Sequence, residues 1–145
     1  MATASDLIQH LQLEPHPEGG WYRQTWRAEA ADGARPAATL IHFLLEPGQR
    51  SHWHTVDADE IWLWHSGDPV ALSLAPDDAG PVSVIELGAD VLGGQSAQAV
   101  VPVGQWQAAA PLPGPHGYAL VSCVVAPGFD FAGFRLAPSG WEPGA

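Results

Sequence analysis

Glycine and proline divide almost the whole chain into short segments, and this limits the possible folds more than any other sequence feature. The 145 residues include 16 Gly and 14 Pro, spread between apolar runs rather than clustered. Pairs such as Asp32-Gly33, Pro47-Gly48 and Pro127-Gly128 are typical of turns. About ten short strands separated in this way indicate an all-β sandwich or small barrel. The predicted strands are Trp21–Ala28, Ala37–Leu45, Ser51–Val56, Glu60–His65, Val70–Ala75, Val82–Leu87, Ala97–Val103, Trp106–Ala110, Tyr118–Ala126 and Phe131–Leu136.

The start of the chain is the one segment with a helical pattern. Thr3 is suited to an N-cap, with Asp6 three residues later, and prolines at positions 15 and 17 forbid continuation. Leu7, Ile8 and Leu11 share one apolar stripe. We therefore predict a single domain over residues 1–145, with a helix at about 3–13, a barrel at about 20–137 and a frayed tail at 139–145. The alternative for the tail is that Trp141 tethers it.

Charge excludes several classes of partner. Five Arg, no Lys and 16 acidic residues give a formal net charge of −11. Proteins bind nucleic acids and anionic membrane surfaces mainly through Lys and Arg side chains, so neither is an expected partner of this chain. No apolar run approaches the ~18 residues of a membrane span. The one cysteine, Cys123, lies in an apolar run and is expected to be a small buried side chain. We expect a cytoplasmic protein.

A histidine-rich segment carries the polar residues that indicate chemistry. Alternation along a strand places His52 and His54 on one face, and Glu60 lies on the next predicted strand after a short Asp-Ala-Asp turn. A hairpin of this kind brings His54 and Glu60 together on one wall. A neighbouring carboxylate fixes an imidazole tautomer and raises the imidazole pKa, which suits general acid–base catalysis.

This segment resembles the first cupin motif. The matching residues are Gly48, His54, Val56, Glu60 and Gly67, at the motif's spacing, and a weaker second cupin motif spans Pro102–Gln107. The chain resembles the fifth cupin family more closely, a group of short single-domain cupins of largely unknown function. The segments that carry this resemblance are Pro15–Gly20, Asp59–Trp62, Trp106-Gln107 and Ala126–Phe131. The resemblance runs from the first helix to Phe134. It implies a double-stranded β-helix (jelly-roll) barrel with an interior pocket, and a homodimer.

The cupin metal positions are only half retained. Metal-binding cupins place a second histidine where Val56 stands here and a third where Gln107 stands, so His54 and Glu60 are the good ligands that remain. An alternative is that His52 joins His54 and Glu60 in a two-histidine, one-carboxylate site for a divalent metal such as Fe, Zn, Mn or Ni. No cofactor is required by the sequence.

Other residues are candidates for ligand binding. Gln107 is a hydrogen-bonding candidate, Arg23 would meet an anionic ligand, and Phe129 flanks the predicted barrel mouth. The motif that contains His16 and Glu18 is expected to serve a turn. Flat walls for a planar or sugar-like ligand would come from Trp62, Trp64 and Trp106, although core packing is the alternative for each.

Three functions remain open. The first is an isomerase- or epimerase-type enzyme that transfers protons on a small polar or sugar-like molecule, with His54 as base and Glu60 as its orienting partner; epimerases of the cupin superfamily pair a histidine with an acidic residue in this way. The second is a non-catalytic ligand-binding or sensor protein that uses the same cavity. The third is a metal-dependent oxygenase or isomerase that uses His52, His54 and Glu60.

Overall fold

The computed structural model describes residues 2–145. Within them the chain forms one α-helix, eleven β-strands and one 3-10 helix. The bounds are α1 Ala4–Leu11, β1 Glu14–Pro15, β2 Trp21–Arg27, β3 Thr39–Leu45, β4 Ser51–Val56, β5 Asp59–Gly67, β6 Val70–Ala75, β7 Ser83–Leu87, β8 Gln98–Val101, β9 Trp106–Pro111, β10 Ala119–Ala126, the 3-10 helix Phe131–Gly133 and β11 Phe134–Leu136.

The strands form two antiparallel sheets. One contains β1-β2-β3-β10-β5-β8 in that order, and the other contains β11-β4-β9-β6-β7. The chain passes between the sheets repeatedly, as from β3 to β4 and from β9 to β10, which gives the predicted all-β jelly-roll barrel with a short N-terminal helix. The fold class is confirmed.

Helix α1 begins with the predicted capping box. The Thr3 hydroxyl accepts the Asp6 backbone N–H, and the Asp6 carboxylate accepts the Thr3 N–H, both at 3.1 Å. The helix ends two residues earlier than predicted because Gln12 adopts the left-handed conformation, with φ of 55°. Its apolar side packs with Leu44 and Tyr118 and so covers part of the six-stranded sheet. No helix formed by residues 2–145 has the length and apolar character needed to cross a membrane.

Packed side chains fill one end of the barrel. Phe43, Trp62 and Leu72 are almost completely buried between the sheets, and Cys123 joins the same cluster, as expected for a small buried side chain. The other end remains open between β4 and β5, the strands that carry His54 and Glu60. The buried ionisable side chains His54 and Glu60 therefore lie at this end.

Two C-terminal segments differ from the sequence-based prediction. The predicted strand Phe131–Leu136 is shorter, because the Asp130 carboxylate accepts the Ala132 N–H and starts a 3-10 helix before β11. The tail is held against the barrel rather than frayed. Trp141 packs on Trp106 with ring centroids 4.5 Å apart, and the Gly144 N–H donates to the Asp78 carbonyl.

Candidate functional site

The open end of the barrel contains a cavity of about 240 Å³. This is slightly below the roughly 300–1,000 Å³ of typical small-molecule sites, so the cavity has room only for a small molecule. One part of the wall is polar and ionisable, and the remainder is mostly apolar or aromatic. The lining residues are His16, Glu18, Tyr22, Gln24, Thr39, Ile41, His54, Val56, Glu60, Val125, Phe129 and Phe131.

A tight turn after β1 brings two of these polar residues to the cavity. Gly19 and Gly20 have φ of 109° and 77°, values that only glycine adopts easily. A Cβ at Gly19 would collide with the Arg50 carbonyl oxygen, so the turn can lie this close to β4 only without a side chain. The Glu18 carbonyl accepts the His52 N–H at 2.8 Å. These contacts hold the turn against β4 and place Glu18 next to His54.

His54 forms a buried ion pair with Glu18. The His54 Nε2 lies 2.9 Å from Glu18 Oε2, and His54 Nδ1 donates to the His52 carbonyl at 2.8 Å. Burial acts to lower the pKa of His54, but the charge and hydrogen bond of Glu18 outweigh it, with help from Glu60, and raise that pKa to about 9. Burial acts to raise the pKa of Glu18, but His54 holds it below its usual value. The pair is therefore imidazolium–carboxylate at neutral pH, and both ring N–H groups of His54 are occupied.

Glu60 has a different environment within the same cavity. Burial is the strongest influence on its carboxyl group; attraction to His54 opposes burial and repulsion from Glu18 adds to it. Together they raise the pKa of Glu60 to about 7. The buried Cys123 thiol is a hydrogen-bond partner of Glu60, and burial keeps the thiol protonated by raising its pKa. Glu60 is thus poised to gain or lose a proton near neutrality.

A hydrogen-bonded chain behind the cavity wall orients Glu60. Trp62 Nε1 donates to Gln107 Oε1, and Gln107 Nε2 donates to Glu60 Oε1, each at 3.0 Å. An indole N–H can only donate, so Trp62 fixes which end of the Gln107 amide faces it. The amide N–H₂ must then face Glu60. Oε1 of Glu60 is consequently held as an acceptor, and Oε2 is the oxygen suited to carry the exchangeable proton.

His16 supplies a neutral imidazole to the cavity wall. Its Nδ1 accepts the Glu18 backbone N–H at 3.1 Å, so the ring proton is on Nε2. Burial lowers the pKa of His16, the nearby Glu18 opposes this, and His54 lowers it further. The Nε2–H of a neutral His16 is a hydrogen-bond donor for a ligand oxygen or nitrogen.

The structure separates the remaining sequence candidates. His54, Glu60 and Phe129 line the cavity, whereas Trp62 and Gln107 lie one layer behind it. Trp64 donates its indole N–H to the Asp68 carbonyl, and Trp106 donates to Asp78 Oδ1; neither contributes to the cavity wall. Arg23 is exposed on β2 and is absent from the lining. The predicted tryptophan walls are replaced by Tyr22, Phe129 and Phe131.

The predicted metal trio does not assemble. The register of β4 against β9 shifts between Ser51 and His54, which interrupts strict alternation along the strand. His52 therefore does not share the inward face of His54, and its Nε2 donates to the Pro138 carbonyl at 2.9 Å. Val56 offers no donor, and Gln107 is engaged on both ends of its amide. Within residues 2–145 no group of three or more His, Cys, Asp or Glu side chains is arranged to hold a metal ion. The residues present do not fit the usual cupin metal site.

His16 and Glu18 are site residues that the sequence pattern did not reveal. Their motif predicts a turn, which is present, but the side chains of that turn also enter the barrel. The predicted partnership of His54 with Glu60 is correspondingly revised, because Glu18 is the residue that bonds His54. The sequence signal that could have identified His16 and Glu18 is two ionisable residues separated by a single residue and followed directly by two glycines.

One protein-family profile matches most of the chain. The family profile described as Cupin superfamily (DUF985) matches residues 5–137. The uncharacterized protein YML079W of Saccharomyces cerevisiae is 31% identical over 149 residues, covering 90% of this chain and 73% of that protein.

Two solved structures share the fold over most of their length. Protein SO0799 from Shewanella oneidensis is 38% identical with a TM-score of 0.86, covering 94% of this chain and 85% of that chain. A hypothetical protein from Leishmania major is 37% identical with a TM-score of 0.83, covering 94% of this chain and 88% of that one. The homodimer implied by the sequence resemblance stays a prediction. The chain belongs to the cupin superfamily, in the family described as DUF985.

Proposed function

We propose that the protein catalyses proton transfer on a small polar molecule bound in the barrel cavity, with Glu60 as the group that takes and returns the proton. The supporting observation is a cavity carboxyl with a pKa of about 7, positioned beside a buried ion pair. A general acid–base group works best when its pKa lies near the working pH. Pairs of titratable groups whose surroundings push their pKa values apart are characteristic of acid–base sites.

Glu60 suits this role better than His54, the base that the sequence pattern favours. The pKa of His54 is about 9, so its ring is already protonated at neutral pH and cannot accept another proton. Both of its N–H groups also have partners, Glu18 Oε2 and the His52 carbonyl. His54 therefore acts as a fixed positive charge that favours the ionised form of Glu60, and Glu18 holds that charge in place.

The proposed step is a reversible proton transfer with no change in oxidation state. A ligand C–H bond next to a carbonyl breaks, its proton passes to Glu60 Oε2, and the electron pair moves onto the carbonyl oxygen. The Nε2–H of His16 is the available donor to that oxygen. Return of the proton from Glu60 to the same carbon re-forms the C–H bond and the carbonyl, and it completes an epimerisation when the planar intermediate turns its opposite face to Glu60 first.

Hydrogen–deuterium exchange on a set of candidate compounds tests this proposal. Small carbonyl compounds with exchangeable C–H groups, some also bearing an amine, are incubated in D₂O with the protein, and deuterium incorporation is followed by NMR. We expect the wild type to accelerate exchange in at least one compound and Glu60→Gln to lower that rate about 10²–10⁴-fold. Glu29→Gln, which removes an exposed carboxyl outside the cavity, is the matched control and should match the wild type.

Two outcomes would contradict the proposal. One is exchange that proceeds equally fast in Glu60→Gln. The other is the absence of protein-dependent exchange across the set of compounds, which would favour a ligand-binding protein that performs no chemistry.

A further inference from the structure

We infer that the cavity is built for a small organic cation, with the ammonium group held between the Glu60 carboxylate and the aromatic wall formed by Tyr22, Phe129 and Phe131. This names the ligand class of the site in the proposed function, and so rests on the same cavity. It does not depend on catalysis.

The cavity wall carries two carboxyl groups, Glu18 and Glu60, and one cation, His54, which the two carboxyls share. Glu18 and His54 neutralise each other, and His16 is neutral because burial lowers its pKa. Glu60 is the fourth ionisable group at the polar end of the wall, and the partners around it are the amide of Gln107 and the thiol of Cys123. A positively charged ligand would pair with Glu60 and stabilise its ionised form.

An anionic ligand finds no free cationic side chain in the cavity wall. None of the five arginines is among the lining residues, and the chain contains no lysine. The one cation at the wall, His54, already donates both of its N–H groups to protein acceptors. Arg35, near the neighbouring surface cavity, is held in a two-bond pair with Asp57 at 2.7 and 3.0 Å. A carboxylate or phosphate inside the barrel would therefore face carboxylates without a free cationic partner.

The apolar part of the wall is rich in aromatic rings, which pack edge to face against one another and against His16. Phe129 and Phe131 stand nearly perpendicular, with centroids 4.8 Å apart and planes at 85°. Tyr22 and Phe131 both lie against His16, at 4.4 and 6.4 Å between centroids. Aromatic faces attract cations through their quadrupole, and cages of several rings recognise substituted ammonium groups.

Phe131 provides an independent indication that this wall receives a ligand. It is 52% exposed although it lines the cavity, and it packs against Phe129 and Phe134 at the mouth. Aromatic side chains commonly line small-molecule sites, so the part of the Phe131 ring that borders the cavity is available to a ligand. The net charge of −11 also raises the local concentration of cations around the protein.

Three compounds of nearly the same shape test the inference. Choline is the cation, 3,3-dimethylbutan-1-ol its neutral isostere and 3,3-dimethylbutanoate its anionic counterpart; binding to the full-length protein is measured by calorimetry and ligand-observed NMR. We expect choline to bind at least tenfold more tightly than the alcohol, and the carboxylate to bind more weakly than either. Choline affinity should rise between pH 6 and 8 as Glu60 ionises, whereas alcohol affinity should not change.

Variants identify the groups responsible. Glu60→Gln should reduce choline affinity and abolish its pH dependence while leaving alcohol affinity within about twofold. Phe129→Leu should weaken choline more than the alcohol, because it keeps an apolar wall but removes the ring quadrupole.

The inference is overturned if the alcohol binds as tightly as choline, if the carboxylate binds most tightly, or if choline does not bind at millimolar concentration. Its failure is distinguishable from failure of the proposed function. Choline binding without any deuterium exchange would remove only the catalysis, and exchange on neutral compounds without choline binding would remove only the ligand class.

Discussion

Two histidine–carboxylate pairs in this protein have the same nitrogen-to-oxygen distance but different surroundings. His54 Nε2 lies 2.9 Å from Glu18 Oε2 inside the barrel. His116, in the loop between β9 and β10, has its Nδ1 2.9 Å from Oδ1 of Asp68, in the turn between β5 and β6. Both members of the inner pair are buried, whereas the His116 side chain is 44% exposed. The separation of the atoms alone therefore does not determine what such a pair does.

The surroundings assign the two pairs different roles. Asp68 also accepts the backbone N–H groups of His116 and Gly117. Burial of Asp68 opposes its ionisation, but the hydrogen bond from the His116 side chain, together with these two backbone bonds, holds the pKa of Asp68 below its usual value. The outer pair thus fastens a loop. The inner pair lies in a cavity beside a third ionisable group, Glu60, and its charges help to set the protonation of that group. The inner pair therefore differs from the outer pair in being buried next to another carboxyl group.

The largest expected effect comes from breaking the inner pair. His54→Gln leaves the Glu18 carboxylate buried without a counter-charge, and we expect a loss of about 3–5 kcal/mol in the free energy of unfolding. His116→Gln is the matched control. Because His116 is largely exposed and Asp68 keeps two backbone donors, the expected loss is below about 1 kcal/mol. Chemical denaturation at pH 7 measures both values.

The double variant Glu18→Gln/His54→Gln sharpens this comparison. Removing both charges eliminates the isolated buried carboxylate, so the double variant should recover much of the stability lost in His54→Gln. Equal losses for the inner and outer single variants would contradict the difference drawn between the two pairs.

A smaller effect depends on pH and isolates the third group. The folded-state pKa of Glu60 is about 7, above its ordinary value of 4.5, so the folded protein retains a proton that the unfolded chain has lost. Wild-type stability should therefore fall relative to Glu60→Gln as pH rises from about 4.5 to about 7, and the difference should then level off. The expected change is about 3 kcal/mol, measured by denaturation across the pH series. A constant difference between the two proteins would contradict the raised pKa.

Much of the fold follows from local sequence signals. Turn residues and apolar alternation locate most strands, and Thr3 with Asp6 locates the start of the helix. The errors occur where a long-range contact or a single side chain overrides the local pattern. Asp130 converts three predicted strand residues into a 3-10 helix, and Trp141 attaches the predicted frayed tail to Trp106.

The candidate site was only partly predictable, for a related reason. His54 and Glu60 follow from spacing within one hairpin, because alternation and a short turn are local properties. Glu18 reaches His54 across 36 positions of sequence, through a turn that packs against β4. The prediction that His52 faces inward is wrong because β4 contains a register shift, and this shift depends on the pairing of β4 with β9.

Direct titration of Glu60 tests the central claim that this carboxyl is poised near neutrality. The measurement is the side-chain carboxyl ¹³C chemical shift of Glu60 as a function of pH, in protein labelled at glutamate and assigned with Glu60→Gln. A midpoint near 7 for Glu60, with Glu18 titrating below its usual range in the same spectra, is the predicted result. A Glu60 midpoint near its ordinary value of 4.5 would contradict the account.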